Sequence, residues 1–247
     1  MCIESECDLK GLLRAGKVVS SALREMRERV QAGVTTLELD QAAAEVLAHH
    51  GATSAPRLLY GFPGTACISV NDEAVHGIPG PRRIQAGDLV KLDVTALLDG
   101  YIADAAITVP VLPVSSRRRL LCECAESALN KAILVARAGS PINAIGKAVE
   151  TEVEGAGFTV LRQLGGHGVG RAIHEEPHIP NYYEPRLRNN LREGQVITIE
   201  PIISTGSWRI KATPDRWTIK TGDGSDSAHF EHTLLITRDE PLILTAA

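Results

Sequence analysis

Two aspartates, Asp93 and Asp104, lie in a stretch that otherwise has the composition of buried β-strand, LVKLDVTALLDGYIAD. Asp99-Gly100 between them is a strong signal for a two-residue hairpin turn. That turn pairs Thr95 with Asp104 and places Asp93 on the same face, so the two aspartates are diagonal neighbours about 7–8 Å apart at the backbone. Two carboxylates that face each other need a shared proton or a cation. The hairpin alone leaves open that one or both lie at a solvated sheet edge.

A second pair of acidic residues has similar surroundings. Glu200 lies in the apolar segment VITIEPII, and Glu231 lies in AHFEHTLLIT. Ionised carboxylates cost several kcal/mol to bury unless they are paired or bind a cation. Four such side chains in predicted strands indicate bound divalent metal, with more than one ion.

Histidines accompany the carboxylates. The segment GGHGVGRAIHEEPHIPNY contains His167, His174 and His178, and SVNDEAVHGIPG contains His76. Taken singly, a strand histidine is more often structural than a ligand, and His76 is equally well a loop residue near the surface. Beside a carboxylate cluster they complete a set suited to metal binding and acid–base chemistry.

The elements that position these residues repeat after 106 residues. Helical patterns over residues 21–33 and 37–50 return over residues 127–139 and up to residue 157, each second helix ending at a glycine. Strands are predicted at residues 67–70, 89–96, 101–111, 196–203, 218–221 and 229–237. The prediction is an α+β fold of two pseudo-twofold halves, roughly residues 9–111 and 115–240, that share one core in a single domain, 1–247.

Composition excludes several classes of function. The 247-residue chain is 44% hydrophobic and has a net charge of -4, which argues against a DNA-binding face. Its apolar runs are too short to span a bilayer, and the first residues, MCIESECDLK, lack the features of a secretory signal. Five scattered cysteines do not form a disulfide framework, so a reduced, cytoplasmic protein is expected.

The motifs together resemble those of a known family. HGIPG, the aspartate hairpin, GGHGVGRAIHEEP, ITIEPII and SAHFEHT occur in the order found in methionine aminopeptidases of the short bacterial type, type I. The resemblance covers about residues 9–237. It implies the duplicated pita-bread α+β fold, an antiparallel sheet covered by helices. It also implies removal of the N-terminal methionine from nascent proteins and peptides that have a small second residue.

The resemblance further implies a metal centre and a mechanism. Its ligands would be Asp93, Asp104, His167, Glu200 and Glu231, and its cofactors two divalent ions, for which Co, Mn, Fe, Zn and Ni are candidates. A hydroxide held between the ions would attack the peptide carbonyl, with Glu200 as general base and then general acid. His174 would steady the oxyanion, and His76 would contact the scissile nitrogen.

Specificity is expected from an apolar pocket beside the metals. The resemblance places Phe62, Cys67, Ile173 and Trp217 there, with Leu59 or Tyr60 at one wall. Family members often have tyrosine, tyrosine and phenylalanine where Leu59, Phe62 and Ile173 stand. Core filling is an equally good interpretation for Phe62 and Cys67.

Other positions carry weaker expectations. Asn71 and Ser227 match positions near a monovalent cation site in relatives. His229 stands where the family usually has glutamine, and His232 should point to the opposite face of its strand. His178 is interpreted as a surface loop residue.

Two alternatives remain open on the sequence. One is a proline-specific aminopeptidase of the same fold, and the other is a non-catalytic pita-bread paralogue that binds protein or RNA. Metal content and peptides beginning with Met or Xaa-Pro distinguish the three. The expected partners are peptide or nascent-chain N-termini, with a transient ribosome contact, no DNA and no membrane. A monomer is expected.

Overall fold

The computed structural model describes residues 1–246 of the chain. The helices are α1 (Glu6–Arg29), α2 (Thr36–His49), α3 (Ala55–Tyr60), α4 (Ser116–Val135) and α5 (Asn143–Gly155). The first eight strands are β1 (Thr53–Ser54), β2 (Cys67–Val70), β3 (Glu73–Val75), β4 (Leu89–Leu98), β5 (Tyr101–Pro110), β6 (Thr159–Val160), β7 (Gly165–Gly168) and β8 (Glu175–Pro180). The others are β9 (Val196–Ile199), β10 (Ile202–Ser204), β11 (Ile210–Ala212), β12 (Ile219–Thr221), β13 (Ser227–His229), β14 (Glu231–Leu235) and β15 (Leu242–Ile243).

A nine-stranded antiparallel sheet forms the centre of the molecule. Its order is β1-β4-β5-β14-β9-β7-β8, with β2 paired to β4 and β15 paired to β14. Helices α1 and α2 contribute to a hydrophobic cluster with β2, β4 and β5, and helices α4 and α5 to another with β9 and β14. Two three-stranded sheets, β13-β10-β6 and β11-β12-β3, complete the fold. In the described part of the chain, no helix is long and apolar enough to cross a membrane.

The predicted repeat of helix pairs is present. Gly33 and Gly139 follow the first helix of each pair with φ of 96° and 87°. Gly51 and Gly157 follow the second helix with φ of 69° and 76°. These left-handed positions favour glycine because a β-carbon would be strained there. In both halves the second helix therefore ends just before a left-handed glycine, whereas α1 and α4 end four residues before Gly33 and Gly139, earlier than predicted.

The first helix begins earlier than the sequence predicts. Instead of starting near residue 21, α1 begins after Ser5, whose side chain accepts a hydrogen bond from the Asp8 amide as an N-cap. Two glycines weaken the helical pattern there, but close packing requires both. A β-carbon at Gly11 would lie 2.3 Å from the Tyr101 ring, and one at Gly16 would lie 1.9 Å from the carbonyl oxygen of Leu244.

Two predicted strands are each divided into two. The segment 196–203 is interrupted at Glu200-Pro201, because proline has no N–H to donate to a ladder. The segment 229–237 is interrupted at Phe230. At the first break the chain leaves the central sheet for the sheet β13-β10-β6, and at the second it returns from that sheet to the central one. Glu200 and Glu231 therefore lie where the two sheets meet.

Candidate active site

The aspartate hairpin has the predicted register. Leu98 pairs with Tyr101 and Thr95 pairs with Asp104, across a turn in which Asp99 and Gly100 have φ of 50° and 79°. Because successive strand residues alternate faces, Asp93 lies on the same face as Thr95. The prediction that both aspartates share one face is confirmed.

Strand β14 brings a third carboxylate to this face. Ala106 of β5 pairs with Asp93 on β4 and with Glu231 on β14. Directly paired residues on neighbouring strands place their side chains on the same side of a sheet. Asp104 is two residues from Ala106, so the three carboxylates project together.

Strands β7 and β9 supply the fourth carboxylate and an imidazole. Thr198 accepts a hydrogen bond from the His167 amide at 3.0 Å and donates one to Glu200 Oε1 at 3.0 Å. The Nε2 of His167 lies 3.5 Å from Glu200 Oε1. Its Nδ1 lies 2.9 Å from the Gly168 carbonyl oxygen, and donation there leaves the Nε2 lone pair free towards the cavity.

These side chains line one cavity of about 230 Å³. The predicted site residues that line it are Tyr60, Phe62, Cys67, His76, Asp93, Asp104, His167, Ile173, His174, Glu200, Trp217 and Glu231. Of the two alternatives for one wall, Tyr60 lines the cavity, whereas Leu59, on the same helix α3, does not. Successive helical residues point about 100° apart, so these two side chains, each about half exposed, face different directions.

The apolar wall is well packed. Phe62 and Trp217 form an edge-to-face pair with ring centroids 5.2 Å apart. Phe62 is 2% exposed, and Cys67 pairs with Asp93 across β2 and β4. Both residues therefore face the cavity beside the carboxylates, as well as filling space in the interior.

Two predicted auxiliary histidines reach the same cavity from loops. His174 Nδ1 lies 3.0 Å from the Tyr60 hydroxyl, and its ring centroid lies 4.4 Å from that of His167. His76 follows β3 with φ of 57°, an uncommon conformation for a non-glycine residue that directs its side chain into the cavity. Burial lowers the pKa of both histidines, and for His76 the nearby His174 lowers the pKa further.

Three other histidines have defined positions. His178 is exposed, as predicted, but it lies on β8 opposite His167 and not in a loop. It also lines the cavity. His232 points away as predicted, since it lies outside the cavity lining and its Nδ1 lies 2.9 Å from Thr245 Oγ1. His229 lines the cavity, and sequence reasoning assigned it no role. Its position two residues before the candidate ligand Glu231 could have indicated a role at the same site.

Burial dominates the electrostatics of the cluster. It raises the pKa of Asp93, Asp104, Glu200 and Glu231, and neighbouring carboxylates raise the pKa of Asp93, Glu200 and Glu231 further. Burial lowers the pKa of His167 to about 4. Without a cation, burial therefore favours the protonated carboxyl groups over the carboxylates, and it favours the neutral imidazole, which can bind a metal.

The donor set fits divalent metal ions. Asp104 Oδ1, Glu231 Oε1 and His229 Nε2 are buried and have no hydrogen-bond partner within residues 1–246. Two groups of donor atoms, Asp104-His167-Glu231 and Glu200-His229-Glu231, each lie within 4.8 Å of one another and share Glu231. Oxygen-rich ligation with imidazole and no sulfur suits Mn, Fe or Co at least as well as Zn.

Comparison with known proteins identifies the family. The model of metallopeptidase family M24 matches residues 10–238. The chain belongs to this family. It is therefore a hydrolase, as the sequence predicted, and members of a metallopeptidase family use divalent metal ions.

Individual M24 relatives cover the whole chain. The chain is 45% identical to methionine aminopeptidase 2 of Bacillus subtilis over 247 residues, 99% of each protein. It superposes on the crystal structure of methionine aminopeptidase from Thermotoga maritima with a TM-score of 0.97 and 37% identity, covering 100% of both chains. Prolidase from Pyrococcus furiosus shares the fold, with a TM-score of 0.78 and 23% identity over 66% of that chain. The predicted pita-bread fold is confirmed.

The prediction of a monovalent cation near Asn71 and Ser227 is wrong. The buried ammonium of Lys91 lies there, with Nζ 2.7 Å from the Asn71 carbonyl oxygen. The same Nζ lies 3.1 Å from the carbonyl oxygen and 3.2 Å from Oγ of Ser227. A side chain of this M24 chain thus takes the place of the expected ion, which the sequence of β4 alone could not reveal.

Replacing Lys91 with alanine is expected to create a dependence on monovalent salt. The variant should unfold at lower temperature in tetramethylammonium chloride, and KCl should restore about 1–2 kcal/mol of the free energy of unfolding by binding the vacated oxygens. Thermal unfolding in the two salts measures this. Lys220→Ala, which removes a nearby lysine that pairs with Asp72, is the control and should respond equally to both salts. Equal responses of the Lys91 variant would contradict the prediction.

Gly166, beside His167, has no space for a side chain. A β-carbon there would lie 2.4 Å from the Thr198 carbonyl oxygen. Gly166→Ala is therefore expected to lower the free energy of unfolding by about 1–3 kcal/mol and to weaken metal binding. Gly155→Ala is the matched control, because nothing lies within 4 Å of the position that a β-carbon would take there. Urea unfolding of both variants tests this, and equal stability would contradict the steric argument.

Proposed function

We propose that this protein removes the N-terminal methionine from peptides and nascent chains that have a small second residue. One observation carries the proposal: a cluster of metal-type ligands and a well-packed apolar wall line the same cavity. The curated relative from Bacillus subtilis, 45% identical, is named methionine aminopeptidase 2, which supports the substrate class.

The proposed ligands are Asp93, Asp104, His167, Glu200 and Glu231, which would hold two divalent ions. When bound, such ions lower the pKa of a water molecule and stabilise negative charge on a carbonyl oxygen. The buried donors without hydrogen-bond partners, Asp104 Oδ1 and Glu231 Oε1, support their role as ligands. Manganese, iron and cobalt are the proposed ions, with zinc and nickel as alternatives.

Glu200 is the proposed general base. It lies at the break between β9 and β10, and Thr198 fixes its Oε1 by a hydrogen bond of 3.0 Å. The Glu200 carboxylate can take the proton of the attacking water and then deliver it to the departing amine. Because Thr198 also accepts from the His167 amide, one hydroxyl orients both residues.

His174 and His76 are proposed to stabilise the reacting amide. His174 is positioned by the Tyr60 hydroxyl and can donate a hydrogen bond to the developing oxyanion. His76 enters the cavity from the first half of the chain, directly after β3, and can contact the scissile nitrogen. Two donors aimed at the peptide from separate loops suit hydrolysis of an amide bond.

The methionine side chain is proposed to lie against Phe62, Cys67, Ile173 and Trp217, with Tyr60 at the wall. An unbranched thioether packs well against aromatic rings. Phe62 and Trp217 present such rings in a fixed edge-to-face arrangement.

The test is methionine release from Met-Ala-Ser by metal-stripped protein, before and after addition of Mn, Co, Fe or Zn. Release that requires a metal supports the proposal. Ala-Pro and Met-Pro peptides test the proline-specific alternative, which predicts faster cleavage before proline than before alanine. Bound metal without hydrolysis of any of these peptides would favour the non-catalytic paralogue.

We further propose that the protein acts in the cytoplasm as a monomer with transient ribosome contact. Its cysteines are free thiols in the structure, as expected in a reducing compartment. Pairing of β5 with β14 joins the two halves through one sheet, which supports a single domain over residues 1–247. Light scattering tests the monomer, and a single thermal transition tests the single domain.

A further inference from the structure

His229 has an unusual environment for a histidine without an assigned role. Its backbone is fixed at both ends by Thr108, which accepts a hydrogen bond from the His229 amide at 2.8 Å and donates one to its carbonyl oxygen at 2.8 Å. The residue is 2% exposed. Two backbone bonds to one side chain thus hold the imidazole in the cavity.

The Nε2 atom of His229 has no hydrogen-bond partner among the residues that the structure describes. A buried nitrogen of this kind costs free energy unless it binds a donor or a cation. The buried Lys91 directs its ammonium to the backbone oxygens of Asn71 and Ser227 instead. Residues 1–246 thus supply no hydrogen-bond partner for this nitrogen, and a bound cation would satisfy it.

Distances indicate what that partner is. His229 Nε2 lies 3.5 Å from Glu231 Oε2, and it belongs with Glu200 and Glu231 to a group of donors within 4.8 Å of one another. Two donors that each bind one ion at about 2.0–2.2 Å lie about 3–3.5 Å apart. His167 Nε2 and Glu200 Oε1 have the same separation, 3.5 Å.

We propose that His229 is a further ligand of the metal centre, through Nε2 and together with Glu200 and Glu231. The inference rests on the metal centre proposed above and adds a second imidazole to its five ligands. Imidazole favours Zn, Ni and Co over Mn more than oxygen ligands do. The chain should therefore bind these ions more tightly, relative to Mn, than a variant with glutamine at this position.

The test is the proton NMR spectrum of metal-stripped protein loaded with Co²⁺. Each cobalt-bound imidazole contributes a strongly shifted N–H signal that disappears in D₂O. Wild type is expected to show two such signals, and His229→Gln is expected to show one. The control is His232→Gln, a histidine that lies outside the cavity and should leave both signals.

Calorimetric titration gives a second readout. His229→Gln is expected to lose at least ten-fold in affinity for Ni²⁺ and less in affinity for Mn²⁺. A wild-type spectrum with one signal would overturn the inference but leave the five-ligand centre intact. This readout uses only the wild-type protein, so it does not depend on whether the variant folds. Absence of any cobalt binding would overturn the metal centre itself.

Discussion

Replacing Glu200 with glutamine is expected to lower kcat for methionine release by about 10²–10⁴-fold, the usual contribution of a general base. Glutamine keeps the length of the side chain and can still accept the hydrogen bond from Thr198, but it cannot take up the proton of the attacking water. The change also removes one proposed metal ligand, so metal content must be measured with the rate. Steady-state kinetics on Met-Ala-Ser at saturating metal provides the comparison.

Glu193→Gln is the matched control, because Glu193 lies on the surface and its side chain pairs with the exposed Arg238. Its kcat should equal that of wild type. If Glu200→Gln kept more than a tenth of the wild-type kcat with its metal bound, another group would have to be the base.

The second large effect concerns the metal-free protein, whose free energy of unfolding should fall as pH rises from about 6.5 to 8. Burial raises the pKa of Asp93, Asp104, Glu200 and Glu231 in the folded state. The folded chain therefore binds protons that the unfolded chain has released, and each such proton costs about 1.4 kcal/mol per pH unit.

Other buried groups do not reverse this sign. His76, His167, His174, His229 and His232 all have a lowered pKa in the folded state, so they oppose the trend near the ordinary histidine pKa of about 6.5, but they are neutral in both states towards pH 8. Lys91, with its pKa lowered to about 7, opposes the trend by at most one proton. The four carboxyl groups together outweigh it.

Thermal unfolding of metal-free and metal-loaded protein across this pH range measures the effect. Divalent metal should raise the melting temperature and remove most of its pH dependence, because bound carboxylates are ionised. Metal-free Glu200→Gln should show a shallower slope than metal-free wild type. A metal-free protein equally stable at both ends of the range would show that these carboxyl groups ionise freely.

The features set by local chemistry could be predicted from the sequence. The Asp99-Gly100 turn fixed the register of β4 and β5, and alternation along the strands then placed Asp93 and Asp104 on one face. Glycine after α2 and α5 marked the ends of those two helices. The family resemblance supplied the other candidate ligands, and the structure brings all of them into one cavity.

The features that depend on distant contacts could not be predicted. Gly11 and Gly16 resemble helix-weakening residues until the positions of Tyr101 and Leu244 are known. Lys91 resembles an ordinary strand lysine until the positions of Asn71 and of Ser227 on β13 are known. The orientation of Leu59 depends on the rotation of a six-residue helix, which has too few residues to show an apolar face.

The position of Ala106 between Asp93 and Glu231 links metal binding to correct assembly of the sheet. A one-residue slip of either neighbouring strand would turn its carboxylate to the opposite face. Only chains with all three strands aligned would then hold ions tightly, and binding free energy would draw the population towards them. The metal would thus stabilise correctly aligned chains over misaligned ones before any substrate binds.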